Sequence, residues 1–361
     1  MIVGTTGGRQ TVLNILVTGA GGGGVGEQLI KTVRLSGIES RIVATDTSRV
    51  STATVNADAF AVVPIARNES YLNELLALSE REGIDVLLPG SEAELRVISD
   101  NREHFERLGI FLPINPKSVI DLSLDKSRTA EFFTEHALAF PRSATITSAE
   151  DLERVDFLPA VLKPSIGGGG SANIMLAQSL DELRVFGQYL LRIYPEFVVQ
   201  EYVGTEESEY TVGVLLDMDG GLVNSIAMRR IIRSGLGAKL RVANRTARGE
   251  LGEYLAISSG ISQGEFVAPF ELNRECERIA VELGARAAIN IQCRWVDGQA
   301  IVFEVNPRFS GTSSSRALVG YNELAVLLRA RFEGIEPERG FAYRHGYVLR
   351  GLQERFVPVA G

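Results

Sequence analysis

Between Asn14 and Gly109, short apolar runs alternate with helix-patterned segments too closely for anything but a parallel sheet with crossover helices. The runs are Asn14–Thr18, Arg41–Thr45, Ala59–Val63 and Asp85–Leu88. The helical segments are Glu27–Leu35, Tyr71–Glu82 and Glu92–Leu108. In Tyr71–Glu82, Leu72, Leu75, Leu76 and Ser79 share one face. Helices are accordingly expected on both faces of the sheet.

The pattern changes near Pro113. Helices are expected at Asp125–His136, with Ser123 or Asp125 as cap, at Leu180–Arg192 and at Arg274–Ala287. Between them lie strands at Ala160–Lys163, Phe197–Val203, Tyr210–Leu216, Leu222–Met228, Ala288–Val296 and Ala300–Val305. Hairpin-forming strands mixed with helices give an α+β second part, so the fold class is α/β followed by α+β. A chain of 361 residues needs two or three cores. The net charge of −8 argues against a nucleic-acid binder. No apolar run approaches the ~20 residues that span a bilayer. The opening residues lack the basic and apolar regions of a secretory signal and read as a loose extension over 1–11. Two separated cysteines, Cys276 and Cys293, and three scattered histidines argue against a zinc site and fit a reduced, cytoplasmic protein.

Two four-glycine runs stand out. In the first, Gly19, Gly21 and Gly24 follow a strand and open a helix with dinucleotide-fingerprint spacing, and Asp46 ends the next strand. The same glycines also suit a tight packing turn. In the second, Lys163-Pro164 precedes Gly167–Ser171. The backbone amides of Gly168, Gly169, Gly170 and Ser171 can fold over phosphates, and Lys163 adds a point charge. Downstream, the edge formed by Glu201, Tyr202 and Val203 can meet an adenine rim, and Glu206, Glu207 and Glu209 suit ribose hydroxyls.

The segment from Asn290 to Arg308 reads as a hairpin turning at Asp297-Gly298. Glu304 and Asn306 are two apart and share a face, with Phe303 and Val305 toward the core. Gln292 joins that face only if the loop has three residues or the ladder carries a bulge; a two-residue turn places it on the wrong side. Two amide oxygens and a carboxylate suit Mg²⁺. Arg308 is placed to stabilise a transferring phosphoryl group. The basic stretch with Arg230, Arg233 and Lys239 is suited to an anionic substrate group, or is a solvated face.

On these pieces, the chain resembles the ATP-grasp superfamily, and within it the synthetase unit of the carbamoyl-phosphate synthase large subunit. The resemblance runs from about residue 14 to 330. It is carried by Pro89–Glu92 through Asp125-Lys126, by Val161–Pro164 with its glycine loop, and by Phe303–Arg308. It implies a Rossmann-like domain over 12–118, a lid over 119–204 and a catalytic subdomain over 205–361. It implies ATP contacts from Lys126, Lys163, Glu201, Tyr202, Val203 and Glu209. It implies Mg²⁺ (or Mn²⁺) held by Gln292, Glu304 and Asn306, with Arg308 and Lys163 catalytic. The substrate side is assigned to Glu92, Arg230, Arg233 and Lys239, with Arg316 in place of a second arginine absent near Gly311. The first glycine run then borders the substrate, and no dinucleotide binds there.

The implied reaction activates a carboxylate as an acyl phosphate and joins it to an amine or ammonia. The partners are small molecules, with a homodimer as the expected assembly. Two alternatives are a catalytically silent ATP-binding regulator and an oxidoreductase using the 19–24 loop; the latter leaves Glu304, Asn306 and Arg308 without a role.

Overall fold

A computed structural model describes residues 12–166, 173–233 and 235–354. The chain begins β1 (Leu13–Val17), α1 (Val25–Arg34), β2 (Ser40–Asp46), α2 (Ala53–Asn56), β3 (Ala59–Val62), α3 (Tyr71–Glu82) and β4 (Val86–Leu88). These strands form one parallel sheet in the order β3-β2-β1-β4. Along β1, Ile15 and Val17 pack with Leu29 and Val33 of α1, while Leu16 faces Tyr71 and Leu75 of α3. The central strands β1, β2 and β4 are thus covered on both faces, which is why their middles are apolar, whereas the edge strand β3 is only partly buried. The buried stripe of α3 is Tyr71, Leu75, Leu78 and Ser79, with Leu72 and Leu76 only at its margin. The expected helix Glu92–Leu108 is two, α4 (Glu92–Asp100) and α5 (Arg102–Arg107). Asn101 separates them, its side-chain amide donating to Val97 O at 2.8 Å in competition with the helical backbone.

Next come α6 (Lys117–Ser123), α7 (Lys126–Glu135), β5 (Ser143–Ile146), α8 (Ala149–Leu152), β6 (Ala160–Pro164), β7 (Met175–Ala177), α9 (Leu180–Leu191) and β8 (Phe197–Glu201). Asp125 caps α7, accepting from the Ser127 and Arg128 amides. The strands make an antiparallel sheet, β5-β8-β6-β7, closed by α8 and α9 over its own core.

The remainder is β9 (Glu209–Leu216), β10 (Leu222–Arg230), β11 (Ala238–Ala243), β12 (Tyr254–Ser258), β13 (Gly264–Phe266), α10 (Glu271–Glu282), β14 (Ala288–Val296), β15 (Gln299–Asn306), α11 (Ser313–Leu318), α12 (Glu323–Glu333) and β16 (Gly346–Val348). Six strands form an antiparallel sheet, β15-β14-β9-β10-β13-β16, and β11 pairs with β12. One face of the large sheet packs on α10. The other joins α1 and the first sheet through α12 and Phe309, so one core ties the two ends of the chain together. Among the described residues no helix is long and apolar enough to cross a membrane. Cys276 and Cys293 are both buried and free.

Candidate active site

The turn at Asp297-Gly298 is the two-residue kind: Val296 pairs with Gln299, and both turn residues have positive φ. Alone it would place Gln292 on the wrong face. The ladder, however, steps between Cys293↔Val302 and Gln292↔Glu304, leaving Phe303 as one extra residue in β15. This bulge sets Gln292 directly opposite Glu304, with Asn306 opposite Asn290 one pair further on the same face. It also corrects the expectation for Phe303. Its ring lines the cleft, 5.9 Å from Lys163 Nζ, whereas Val305 is in the core as expected.

The cleft has a volume of about 430 Å³ and lies between the small antiparallel sheet and the large one, with the first glycine run at one end. Each amide oxygen of the hairpin is fixed by an arginine. Arg230 Nη1 donates to Gln292 Oε1 at 3.0 Å, and Arg308 Nη2 donates to Asn306 Oδ1 at 3.0 Å. An amide oxygen keeps a second lone pair after such a bond, and the donor settles which end of the amide faces it. With the Glu304 carboxylate between them, the set is hard, oxygen-only and suited to Mg²⁺ or Mn²⁺. Among the described residues no group of three or more His, Cys, Asp or Glu could hold a metal, so a metal at this cleft needs the amides.

Lys163 comes in from β6 and is buried; its Nζ donates to Gln200 Oε1 at 2.7 Å and Phe303 O at 2.9 Å. Burial pushes its pKa down to about 7; Glu304 opposes the shift and Lys126 adds to it. Lys126 opens α7, and its backbone N–H bonds Ser165 O at 3.1 Å. That bond ties Lys126 to the base of the second glycine loop. Gly168, Gly169, Gly170 and Ser171 lie outside the described residues. Glu92 accepts from Arg308 Nη2 at 2.8 Å. Burial raises the Glu92 carboxyl, but Arg308, with Lys126 and Arg96, holds it below the usual range.

Among the described residues, two buried polar atoms of cleft-lining side chains make no hydrogen bond: Arg308 Nε, a donor, and Glu209 Oε1, an acceptor that faces Arg230 Nη1 at 3.4 Å. They belong to its two ends. Glu209 pairs with Arg294 across the ladder, and Asn306, two residues before Arg308, pairs with Asn290. Arg294 and Asn290 are four residues apart on β14, about 13 Å at the usual strand rise. One end therefore presents an arginine and the other a carboxylate held between Arg230 and Arg294.

Glu201, Tyr202 and Val203 line the cleft beside Glu209, although β8 ends at Glu201, short of Val203. Gly22, Gly23 and Gly24 also line it, so the first glycine run faces the same cavity as the second loop's base. Three of the expected substrate residues sit elsewhere. Arg233 is exposed and pairs with Glu206 and Glu207. Lys239 is exposed on β11 and is not part of the cleft wall. Arg316 is 1% exposed behind the wall, paired with Glu323 at 3.2 Å and donating to Asn290 Oδ1 at 2.5 Å. Arg230 does line the cleft, but as the buried partner of Gln292 and Glu209.

Sequence reasoning missed Gln200 and Arg294. Arg294 lies two residues after Gln292, so strand alternation alone puts both on one face. Gln200 pairs with Val161 in the small sheet, a register that no local pattern announces.

Two family models match the chain: a PylC-like N-terminal domain over residues 15–113 and an ATP-grasp domain over residues 123–312, more than half of the chain. The carbamoyl phosphate synthase large chain of Thermoplasma volcanium is 22% identical over 91% of this chain and 33% of its own length. That of Pseudomonas aeruginosa is 26% identical over 56% of this chain and 20% of its own length. The chain thus spans about a third or less of the curated relatives it matches. Among solved structures, an L-amino acid ligase from Bacillus licheniformis superposes with a TM-score of 0.61 at 16% identity, covering 90% of this chain and 74% of that one. The biotin carboxylase domain dimer of Hydrogenobacter thermophilus 2-oxoglutarate carboxylase, in complex with MgADP, ADP and bicarbonate, gives 0.60 at 18% identity, covering 93% and 74%.

Proposed function

The chain belongs to the ATP-grasp family, and from that premise we propose that it is an ATP- and Mg²⁺-dependent ligase that joins a small carboxylic acid to an amine or ammonia. The carrying observation is the oxygen-only set on one face of the hairpin, Gln292, Glu304 and Asn306, in a single cleft that also holds Lys126, Lys163 and Arg308. A nucleoside triphosphate laid along β14 brings its ribose hydroxyls to Glu209 and its terminal phosphate to Arg308. The matched relatives support the same reading, since MgADP and ADP are bound by the carboxylase domain named above.

In this reading Gln292, Glu304 and Asn306 hold Mg²⁺, which when bound neutralises phosphate charge. Lys126 and Lys163 contact the phosphates; the phosphate contacts expected of Gly168, Gly169, Gly170 and Ser171 fall outside the described residues. Glu201, Tyr202 and Val203 meet the base. Glu92 borders the acceptor end, whereas Arg230 stands on the nucleotide side, between Gln292 and Glu209. A carboxylate oxygen of the acid attacks the γ-phosphorus as its bond to the bridging oxygen breaks, giving an acyl phosphate and ADP. The amine then attacks the acyl carbon, the C–O bond to phosphate breaks, and the amine loses a proton. Arg308 faces the transferring group as a fixed cation, its Nη2 held by Glu92 and Asn306. The domain limits 12–118, 119–204 and 205–361 belong to the same reading, supported by four sheets with separate strand sets, none of which crosses these limits. So do a homodimeric state, which light scattering reads directly, and a cytoplasmic location, supported by two free, buried cysteines.

The test is phosphate release over a panel of acids and amines. We expect ADP and phosphate only when both partners are present, and loss of turnover by about 10²-fold or more in Glu304→Ala with the fold intact. Undiminished release by that variant overturns the metal assignment. Nucleotide binding without turnover on any pair would favour a silent binder.

A further inference from the structure

The exit of β8 and the start of β9 carry the two groups proposed to grip the nucleoside: the 201–203 edge for the base and Glu209 for the ribose. The connecting residues 202–208 form no strand: the Tyr202 N–H bonds Pro159 O at 2.9 Å, and Glu206–Ser208 make one 3₁₀ turn. A single side chain from another strand reaches both ends of this segment. Arg294 of β14 is 4% exposed, and its Nη1 donates to Val203 O at 2.9 Å and Gly204 O at 3.2 Å. Its Nη2 donates to Glu209 Oε2 at 3.1 Å and to Ala256 O of β12 at 2.9 Å. The guanidinium also stacks on the Tyr202 ring, 4.2 Å from its centroid.

The surrounding contacts reinforce the arrangement. The Tyr202 hydroxyl accepts from Ala256 N at 2.8 Å, which locks β12 to the β8 exit from a second direction. At Gly204 the chain turns through φ +63°, and a Cβ there would fall 2.8 Å from Val296 Cγ2 and 3.4 Å from Arg294 Cβ. The loop is therefore pressed against the strand that carries Arg294.

We propose that Arg294 is a positioning residue that sets the distance between the base-reading edge and the ribose carboxylate, and so determines which nucleobase the cleft selects. The proposal rests on the reading of the cleft as a nucleotide site. A planar five-donor fork suits this role because one rigid plane reaches acceptors on three segments; an ammonium on a flexible stem cannot hold all four. Removing the fork leaves Glu209 with Arg230, 3.4 Å away, so its charge keeps a buried partner.

The experiment is calorimetric titration of the full chain with MgADP, MgGDP and magnesium tripolyphosphate, for the wild type, Arg294→Gln and Arg294→Lys. The wild type is expected to prefer ADP to GDP. In Arg294→Gln we expect ADP affinity to fall about tenfold and the ADP/GDP ratio to move toward one, with tripolyphosphate affinity unchanged. Arg294→Lys should behave the same way in weaker form, and it carries the test should the glutamine variant fail to fold. An unchanged ADP/GDP ratio overturns the proposal. So does an equal loss for ADP and tripolyphosphate, which marks a role in general stability alone. Absence of ADP binding by the wild type is a different result: it overturns the nucleotide reading itself.

Discussion

Lys163 shows how far burial alters a side chain that the sequence presents as a plain cation. Desolvation holds its pKa at about 7, so above neutrality the amine is largely uncharged in the free protein. A bound polyphosphate favours the ammonium and raises that pKa. Binding of MgADP should therefore take up a proton above pH 7, with affinity falling by up to about tenfold per pH unit until the bound-state pKa is reached. Calorimetry in buffers of different ionisation enthalpy reads the uptake directly; a buffer-independent enthalpy at pH 8 would contradict it. Arg316 is the opposite lesson. Its position after the glycine-serine turn suggests a substrate contact, but it is sealed against Glu323 and Asn290. Arg316→Ala should cost about 3–5 kcal/mol of stability in urea unfolding, because Glu323 is left as an unpaired buried charge. MgADP affinity of the folded fraction should stay near that of the wild type.

Among the elements, the β14–β15 hairpin carries most of the functional weight. Gly298 sits at φ +79° and Asp297 at φ +51°, the requirement of a two-residue turn that matches strand twist. Gly298→Val should lower stability by about 1–2 kcal/mol, read as a shift in the urea midpoint. Glu304 and Asn306 are legible on one face from alternation alone. The bulge at Phe303 is not, because one surplus residue between strands leaves no compositional mark. The missed hairpin β11–β12 has the same cause in another form. Its β11 strand, Ala238–Ala243, is half exposed and mixes lysine and arginine with its apolar residues, so its sequence reads as a basic loop. The split of Glu92–Leu108 at Asn101 is visible only as an asparagine in a helical run.

At the scale of the whole molecule, four sheets converge on one cleft. The parallel sheet is legible from strand–helix alternation, a local signal repeated several times. The meeting of Glu92 with Arg308, 216 positions apart, depends on how the first sheet docks on the large one through α1, α11 and α12. No local pattern encodes that docking; the resemblance to a known family supplied it. The small and large antiparallel sheets wall the cleft, and the first glycine run lines it too. The most direct test of this account is positional isotope exchange in ATP labelled with ¹⁸O at the β,γ-bridge, run with acids that support phosphate release but without amine. The account predicts scrambling of label into the β-phosphate non-bridging positions, through reversible formation of an acyl phosphate. Release of ADP in the full reaction with no scrambling on any such acid, while ADP stays bound long enough to return, would contradict it.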